Sequence, residues 1–168
     1  MPVEEAEFRI RKATGDDAVA LCRILNEIIT IGGMTAIETL LSVVEFDEHF
    51  LTGADCIICF VAEALDGEAL GFQSLTLNSM LPEAWADIAS FTRRTPRRPG
   101  VGTALFKRTV DFARHAQLTA INATIRADNY SGIPYYEKMG FQTYDVARDI
   151  PLKNGVLVDR ISKRYLLD

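Results

Sequence analysis

The chain has 168 residues, 48% of them apolar, and a formal net charge of −5, which suits one domain around one real core. No apolar run approaches the roughly eighteen residues needed to span a bilayer, and the start, MPVEEAEFRIRK, has no signal-type hydrophobic region, so the expectation is a soluble cytoplasmic protein with no membrane partner. The acidic balance argues against general nucleic-acid binding.

Glu7 to Lys12 predicts a first strand near a sheet edge, and Thr14 to Asp17 offers N-cap candidates and early acidic residues for a helix running to about Thr30. The apolar stripe of that helix is Ala18, Leu21, Cys22, Leu25, Ile28 and Ile29, and Gly32-Gly33 ends it. Thr35-Ala-Ile-Glu38 has the spacing of a capping box, which predicts a further helical region, as one or two short helices, closing near Gly53. His49 falls inside it and reads as a packed or half-exposed residue rather than a catalytic one. Ile57 to Ala64 predicts a strand, Leu65 to Glu68 a hairpin turn, Ala69 to Leu77 the returning strand, and Asn78 to Glu83 a connecting loop. Cys56-x-x-Cys59 invites a redox or metal reading. The two thiols sit in an apolar strand stretch where residues three apart face opposite ways, and no second pair or nearby histidine completes a site, so core thiols and no metal are expected.

Ala84 to Phe91 predicts the next strand, and RRPGVGTAL, Arg97 to Leu105, leads from it into a helix with Val101, Leu105, Phe112 and Ala116 on one face. A strand, a glycine-bearing turn and a helix N-terminus together make an anion cradle. Gly100 and Gly102 permit close backbone approach, the first helical N–H groups lack partners, and the dipole is positive there. Arg97 and Arg98 add forked donors suited to phosphate oxygens. A Walker loop is excluded because Thr103-Ala104 follows Gly102, and a dinucleotide fingerprint because Leu105 stands where its third glycine belongs. Leu118 to Ile125 predicts a strand. Asn129 to Met139 predicts a short helix that tolerates Pro134 if Ser131 caps it. Phe141 to Ile150 and Val156 to Leu166 predict a closing hairpin around Lys153-Asn-Gly155. The order of elements predicts one α+β domain, residues 1–168, on a mixed, mostly antiparallel sheet flanked by helices in three layers.

Two stretches carry a family resemblance. Arg97, Gly100 and Gly102 spell R-x-x-G-x-G, and NYSGIPYYEKMGF (Asn129 to Phe141) is similar to N-x-x-A-x-x-L-Y-E-K-x-G-F, with Gly132 at the small position and Tyr135 at the leucine. In this order and separation they resemble the GNAT superfamily of acyl-CoA-dependent N-acetyltransferases. The resemblance implies acetyl-CoA as co-substrate and two central strands, Ala84–Phe91 and Leu118–Ile125, that diverge to admit the acyl-pantetheine arm. It implies that main-chain groups near Phe91, Thr92 and Arg93 pair with the pantetheine amides, and that an N–H there holds the thioester oxygen. Arg97, Arg98, Gly100, Val101, Gly102 and Thr103 would grip the diphosphate, and Asn129 would make a further cofactor contact. Pro99 removes one N–H from the loop. Arg93-Arg94 either meet the adenosine 3′-phosphate or are solvated; four arginines in six residues also raise nucleic acid, which no interleaved aromatics support. His115 suits a helix C-terminus.

A primary amine attacks a thioester only when neutral. At pH 7 neutrality costs about 4.6 kcal/mol for an amine of pKa near 10.4 and about 1.4 kcal/mol for one near 8, so a carboxylate working through water helps the first kind most. Asp87, within ADIASF, lies where the phosphinothricin-type acetyltransferases, a subgroup the chain resembles, carry a glutamate; it is the preferred base, the alternative being a carboxylate that faces solvent or pairs with an arginine. Glu83 and Glu63 are weaker substitutes. Tyr136 matches the residue that the family uses to protonate the departing thiolate, and Tyr135 beside it reads as packing elsewhere on the helix. The subgroup resemblance, which extends to Asn26–Val44 and the last hairpin, implies a small amino-acid-like amine such as phosphinothricin or methionine sulfone or sulfoximine, a pocket drawing on Arg23, Thr35, Trp85 and Asn154, and a homodimer contact at that hairpin. The alternatives are an acceptor on a protein N-terminus or lysine, and a silent acyl-CoA sensor, which would need the loop but not Tyr136.

Overall fold

In a computed structural model, which describes residues 7–95 and 97–168, the sheet has seven strands. They are β1 (Phe8–Lys12), β2 (Cys56–Ala64), β3 (Ala69–Thr76), β4 (Trp85–Thr92), β5 (Ala120–Arg126), β6 (Gln142–Pro151) and β7 (Leu157–Leu166), in the order β1-β2-β3-β4-β5-β7-β6. The acidic start, residues 1–6, and position 96 in the arginine-rich loop lie outside the described residues. Every neighbouring pair is antiparallel except β4 and β5, which run parallel. The helices are α1 (Ala18–Ile31), α2 (Val43–Phe50), α3 (Val101–His115) and α4 (Gly132–Met139). The fold is the mixed, mostly antiparallel sheet with flanking helices that the element order predicts.

Side-chain alternation along the strands divides the apolar interior in two. Ile58, Phe60 and Ala62 of β2, Ala86 and Ile88 of β4, and Ile121, Ala123 and Ile125 of β5 pack with Leu105, Phe106 and Val110 of α3 and with Tyr136 of α4. On the other face Cys59, Val61, Phe72 and Phe91 meet Leu21, Leu25 and Ile28 of α1 and the rings of Phe46 and Phe50 on α2. Phe72 stands edge-on to both α2 rings, with centroids 5.3 and 5.6 Å away, so a compact aromatic layer seats that short helix. The three cysteines are free thiols. Cys59 is buried in this second layer, while the half-exposed Cys56 points its Sγ at the His49 carbonyl, 3.2 Å away.

One element departs from its sequence expectation. The chain is not helical from Thr35 to Leu41, and α2 begins only after Ser42. Two capping-box patterns compete here, seven residues apart, and the second wins: Ser42 Oγ accepts from Glu45 N at 3.1 Å while Glu45 Oε2 accepts from Ser42 N at 2.8 Å. The intervening segment is held open by Asn26 of α1, whose amide accepts from Leu41 N and donates to Leu41 O, both at 2.9 Å. Those two bonds take the backbone groups that a helix would have needed. Thr35 Oγ1 accepts from Ile37 N in a tight local turn, and Glu38 reaches the tip of the last hairpin, accepting from Lys153 N at 3.1 Å.

Candidate active site

The site follows from where one pairing stops. β4 and β5 are joined over Trp85↔Ala120, Ala86↔Ile121 and Asp87↔Asn122 only. Both strands then continue, to Thr92 and Arg126, without pairing further. The gap opens into a cleft of about 630 Å³ running from Asp87 to the start of α3. Along its β4 wall the main chain has a strict alternation. Arg93 N donates to Leu70 O at 2.8 Å, and the antiparallel register with β3 repeats every second residue. The peptide groups of Phe91 and Arg93 are therefore spent on β3, while those of Ile88, Ser90 and Thr92 face the gap. Of the three positions expected to offer main-chain contacts, Thr92 is the one turned toward the cleft.

At the far end, Gly100 adopts φ +85° with open space around it, the left-handed conformation that ends the loop and starts α3. The first helical bond is Ala104 N to Gly100 O at 3.0 Å, so the N–H groups of Val101, Gly102 and Thr103 have no acceptor within the helix. Arg94, Arg97, Arg98, Gly100, Gly102 and Thr103 line this end. Arg93 turns away onto Glu68, and Arg98 also reaches Glu7 at 3.3 Å. Gly102 is required by a neighbour as well as by the loop, since a Cβ there would sit 2.8 Å from Tyr135 Cε2.

α4 supplies the third wall. Its cap is Asn129 rather than Ser131: Asn129 Oδ1 accepts from Gly132 N at 2.8 Å and from Ser131 Oγ at 3.2 Å. Ser131 makes no side-chain cap bond of its own. Asn129 Nδ2 donates to Met34 O at 3.1 Å, tying the helix to the segment after α1. The side chain expected as a cofactor contact lines the cleft, with these structural bonds already made. Tyr136 is buried between Tyr135 and Phe141, and its hydroxyl donates to Ser90 Oγ at 2.9 Å. Burial, with the neighbouring Tyr135, pushes the Tyr136 phenol well above its ordinary pKa, and the Ser90 bond offsets only part of this. Tyr135 is not mere packing elsewhere on the helix. It lines the same cleft, donates to Gly102 O at 2.8 Å and receives Gln73 Nε2 at 3.0 Å; burial pushes its pKa up to about 12.

Asp87 lies at the last paired rung and lines the cleft. Its half-buried carboxylate pairs with two amides rather than with an arginine: Oδ2 accepts from Asn78 Nδ2 and Oδ1 from Asn122 Nδ2, each at 2.6 Å. Asn122 is steadied in turn by the Tyr144 hydroxyl. Asp87 shares its face of β4 with Ala89 and Phe91, whereas Ser90 points to the α3–α4 face with Ile88, so the two polar groups flank the opening from opposite sides of the sheet. Thr35 lines the cleft, and its carbonyl accepts from Arg126, which is held by Asp128 at 2.7 Å. Trp85 packs edge-on against Tyr144 instead, at 5.8 Å. Asn154 closes the hairpin tip, accepting from Val156 N at 3.0 Å, and Arg23 is exposed on α1. None of these three lines the cleft. Glu63 is bound by Arg9 and Arg11 at the β1 edge. His49 does line the cleft, next to Phe50 and Ile37. Gln73, Ser90, Asn78 and Asn122 carry no motif; for the three in strands alternation is the only signal, and it does not say which rung meets a gap, while Asn78 lies in the β3–β4 loop.

The sequence profile described as "Acetyltransferase (GNAT) family" matches residues 25–141. No curated protein matches the chain. Among solved structures, an N-acetyltransferase from Staphylococcus aureus Mu50 superposes with a TM-score of 0.85 at 20% identity, over 97% of this chain and 100% of that one. A phosphinothricin acetyltransferase from Sinorhizobium meliloti in complex with acetyl-CoA gives 0.82 at 19% identity, over 96% and 89%. A ribosomal-protein-alanine N-acetyltransferase from Brucella melitensis gives 0.79 at 22% identity, over 95% and 99%. At such identities the likeness is one of fold.

Proposed function

Because the chain belongs to the GNAT family of acetyltransferases, we propose that it takes acetyl-CoA as its donor and acetylates the primary amine of a small amino-acid-like acceptor, by direct attack with both substrates bound. The observation that carries this reading is the placement of Asp87 and the Ser90–Tyr136 pair on opposite faces of β4 where β5 leaves it.

The residues fit the donor. N–H groups at Val101, Gly102 and Thr103 that have no partner among the described residues, with Arg97 and Arg98 beside them, suit a diphosphate. The cleft-facing main chain of Ser90 and Thr92 suits the amides of an extended arm, as an added strand would. Acetyl-CoA supplies an acetyl group already activated as a thioester. The chain's own part is to position and to manage protons. Asp87 receives the amine's proton through water, with its carboxylate fixed by two asparagine amides so that little reorganisation accompanies the step. A main-chain N–H on the open edge of β4 holds the carbonyl oxygen as its charge grows. On the opposite face Ser90 lines the path of the departing sulfur, with the Tyr136 hydroxyl donating to Ser90 Oγ behind it. A phenol of ordinary pKa is weaker than the thiol by about 2 kcal/mol, and burial widens that gap, so Tyr136 acts through a hydrogen bond rather than by giving up its proton for good.

A thiol-release assay with acetyl-CoA across a panel of amines tests the reading. The expected outcome is turnover with methionine sulfone, methionine sulfoximine or phosphinothricin and little with peptides. Turnover confined to peptide N-termini or lysines would move the acceptor to proteins. A thermal shift with acetyl-CoA, near 2.7 kcal/mol at about a hundred times Kd, without thiol release from any amine would make the chain a sensor.

A further inference from the structure

Gln73, on β3, is fully buried and touches two hydroxyls of the cleft wall: its Nε2 lies 2.8 Å from Ser90 Oγ and 3.0 Å from the Tyr135 hydroxyl. The orientation of that amide is forced. Tyr135 has one hydroxyl proton, and it goes to the Gly102 carbonyl at 2.8 Å, because a carbonyl can only accept. Whatever Gln73 presents to Tyr135 must then be a donor, so the nitrogen faces Tyr135 and Ser90. Gln73 Oε1 is left without a partner among the described residues. A fold that leaves a buried acceptor unmet to keep two donors in place is using those donors.

The consequence falls on Ser90. Its oxygen accepts from Gln73 Nε2 and from the Tyr136 hydroxyl at 2.9 Å, which fills both lone pairs, so its own proton is what it offers outward, to the Tyr135 hydroxyl beside it or to a group entering the cleft it lines. Resting on the acetyltransferase reading above, we propose that Ser90 is the group that presents a proton directly to the leaving sulfur, and that Gln73 is the positioning residue that fixes the direction of the whole chain of hydroxyls. As the C–S bond breaks and its electron pair moves onto sulfur, the Ser90 proton shifts toward sulfur and the Tyr136 proton toward Ser90. The proton lost by the attacking amine, delivered through solvent, completes the thiol and restores both hydroxyls. The same amide, through Tyr135 and Gly102, anchors this relay to the first turn of α3.

Gln73→Glu keeps the shape and, once ionised, replaces both donors by acceptors. Ser90 and Tyr135 must then donate to the carboxylate, so the Ser90 proton is withdrawn from the cleft. In the full chain, this variant is expected to lose at least tenfold in kcat with KM for acetyl-CoA within threefold. Its rate is expected to fall as pH rises through the titration of the introduced carboxyl, a limb the unmodified protein lacks. Ser90→Ala is expected to lose about as much, and Ser90→Thr, which keeps the hydroxyl, to recover most of it. The inference is overturned if Gln73→Glu keeps the unmodified kcat and pH profile, or, should that variant not fold, if Ser90→Ala keeps the unmodified kcat. Failure of the unmodified protein to release thiol with any amine would instead overturn the acetyltransferase reading itself.

Discussion

The two ends of the cleft are made of different material. The diphosphate end is local: one loop and one helix N-terminus, with main-chain N–H groups from Val101 to Thr103 and arginines a few residues before them. The acceptor end is assembled from side chains of distant segments. Asn78 and Asn122 hold Asp87, and Arg126, itself bound by Asp128, holds the Thr35 carbonyl. Backbone donors tolerate change in the residues around them, whereas a pocket of paired side chains is altered by any single replacement. On the function proposed above, the first end takes a donor common to many enzymes and the second sets acceptor choice.

The comparison predicts that substitutions at the two ends separate cleanly in kinetics, and the largest effect belongs to Asp87. Asp87→Asn is expected to lower kcat at pH 7 about a hundredfold for an amine of pKa near 10.4, within the range of general-base catalysis, and about tenfold for one near 8, since the neutral form of the second is cheaper by about 3 kcal/mol. The deficit should shrink as pH rises toward the amine's own pKa, while KM for acetyl-CoA stays within twofold. A deficit independent of both pH and amine would show Asp87 to be only a structural partner of Asn78 and Asn122. At the other end Arg97→Ala removes a charged donor worth about 1.5–3 kcal/mol. It is expected to raise KM for acetyl-CoA at least tenfold with kcat and the acceptor's KM unchanged, an effect that weakens as salt is added. A change in acceptor KM of the same size would mean that the two ends are not separable.

The same contrast explains what the sequence discloses. R-x-x-G-x-G and the stretch around Tyr136 are visible because the chemistry they need is contiguous: a left-handed glycine, free N–H groups, and a helix carrying its tyrosine. Gln73 is invisible for the opposite reason. Its partners are 17 residues away across a strand pair and 62 residues away on α4, brought together by the register of β3 on β4 and by the seating of α4 against the sheet. Tyr135 looks like packing until Gly102 and Gln73 are seen to meet its hydroxyl. The segment after α1 is ambiguous in sequence because Thr35-x-x-Glu38 and Ser42-x-x-Glu45 are equal as patterns. The bond that decides between them comes from Asn26, 15 residues before Leu41.

The smallest effect predicted concerns the lip of the acceptor end. Arg126 is buried and its guanidinium is bound by Asp128 while it donates to the Thr35 carbonyl at 3.4 Å. The Arg126 hydrogen bonds hold the Asp128 carboxyl below the usual carboxylate range. A carboxyl whose folded pKa is depressed stabilises the fold fully above its unfolded value, about 3.9, and loses that contribution only as pH falls through the lower folded value. The tie is therefore intact throughout pH 5–9, and acceptor KM should show no acid limb from this pair in that window. Asp128→Asn leaves Arg126 buried against a neutral partner and is expected to raise the acceptor's KM severalfold at constant pH, with KM for acetyl-CoA within twofold and with most of the lost stability appearing above pH 4. If Asp128→Asn changed both KM values together, the segment after α1 would belong to both ends of the cleft, and the division between a common donor site and an individual acceptor site would not hold along this edge.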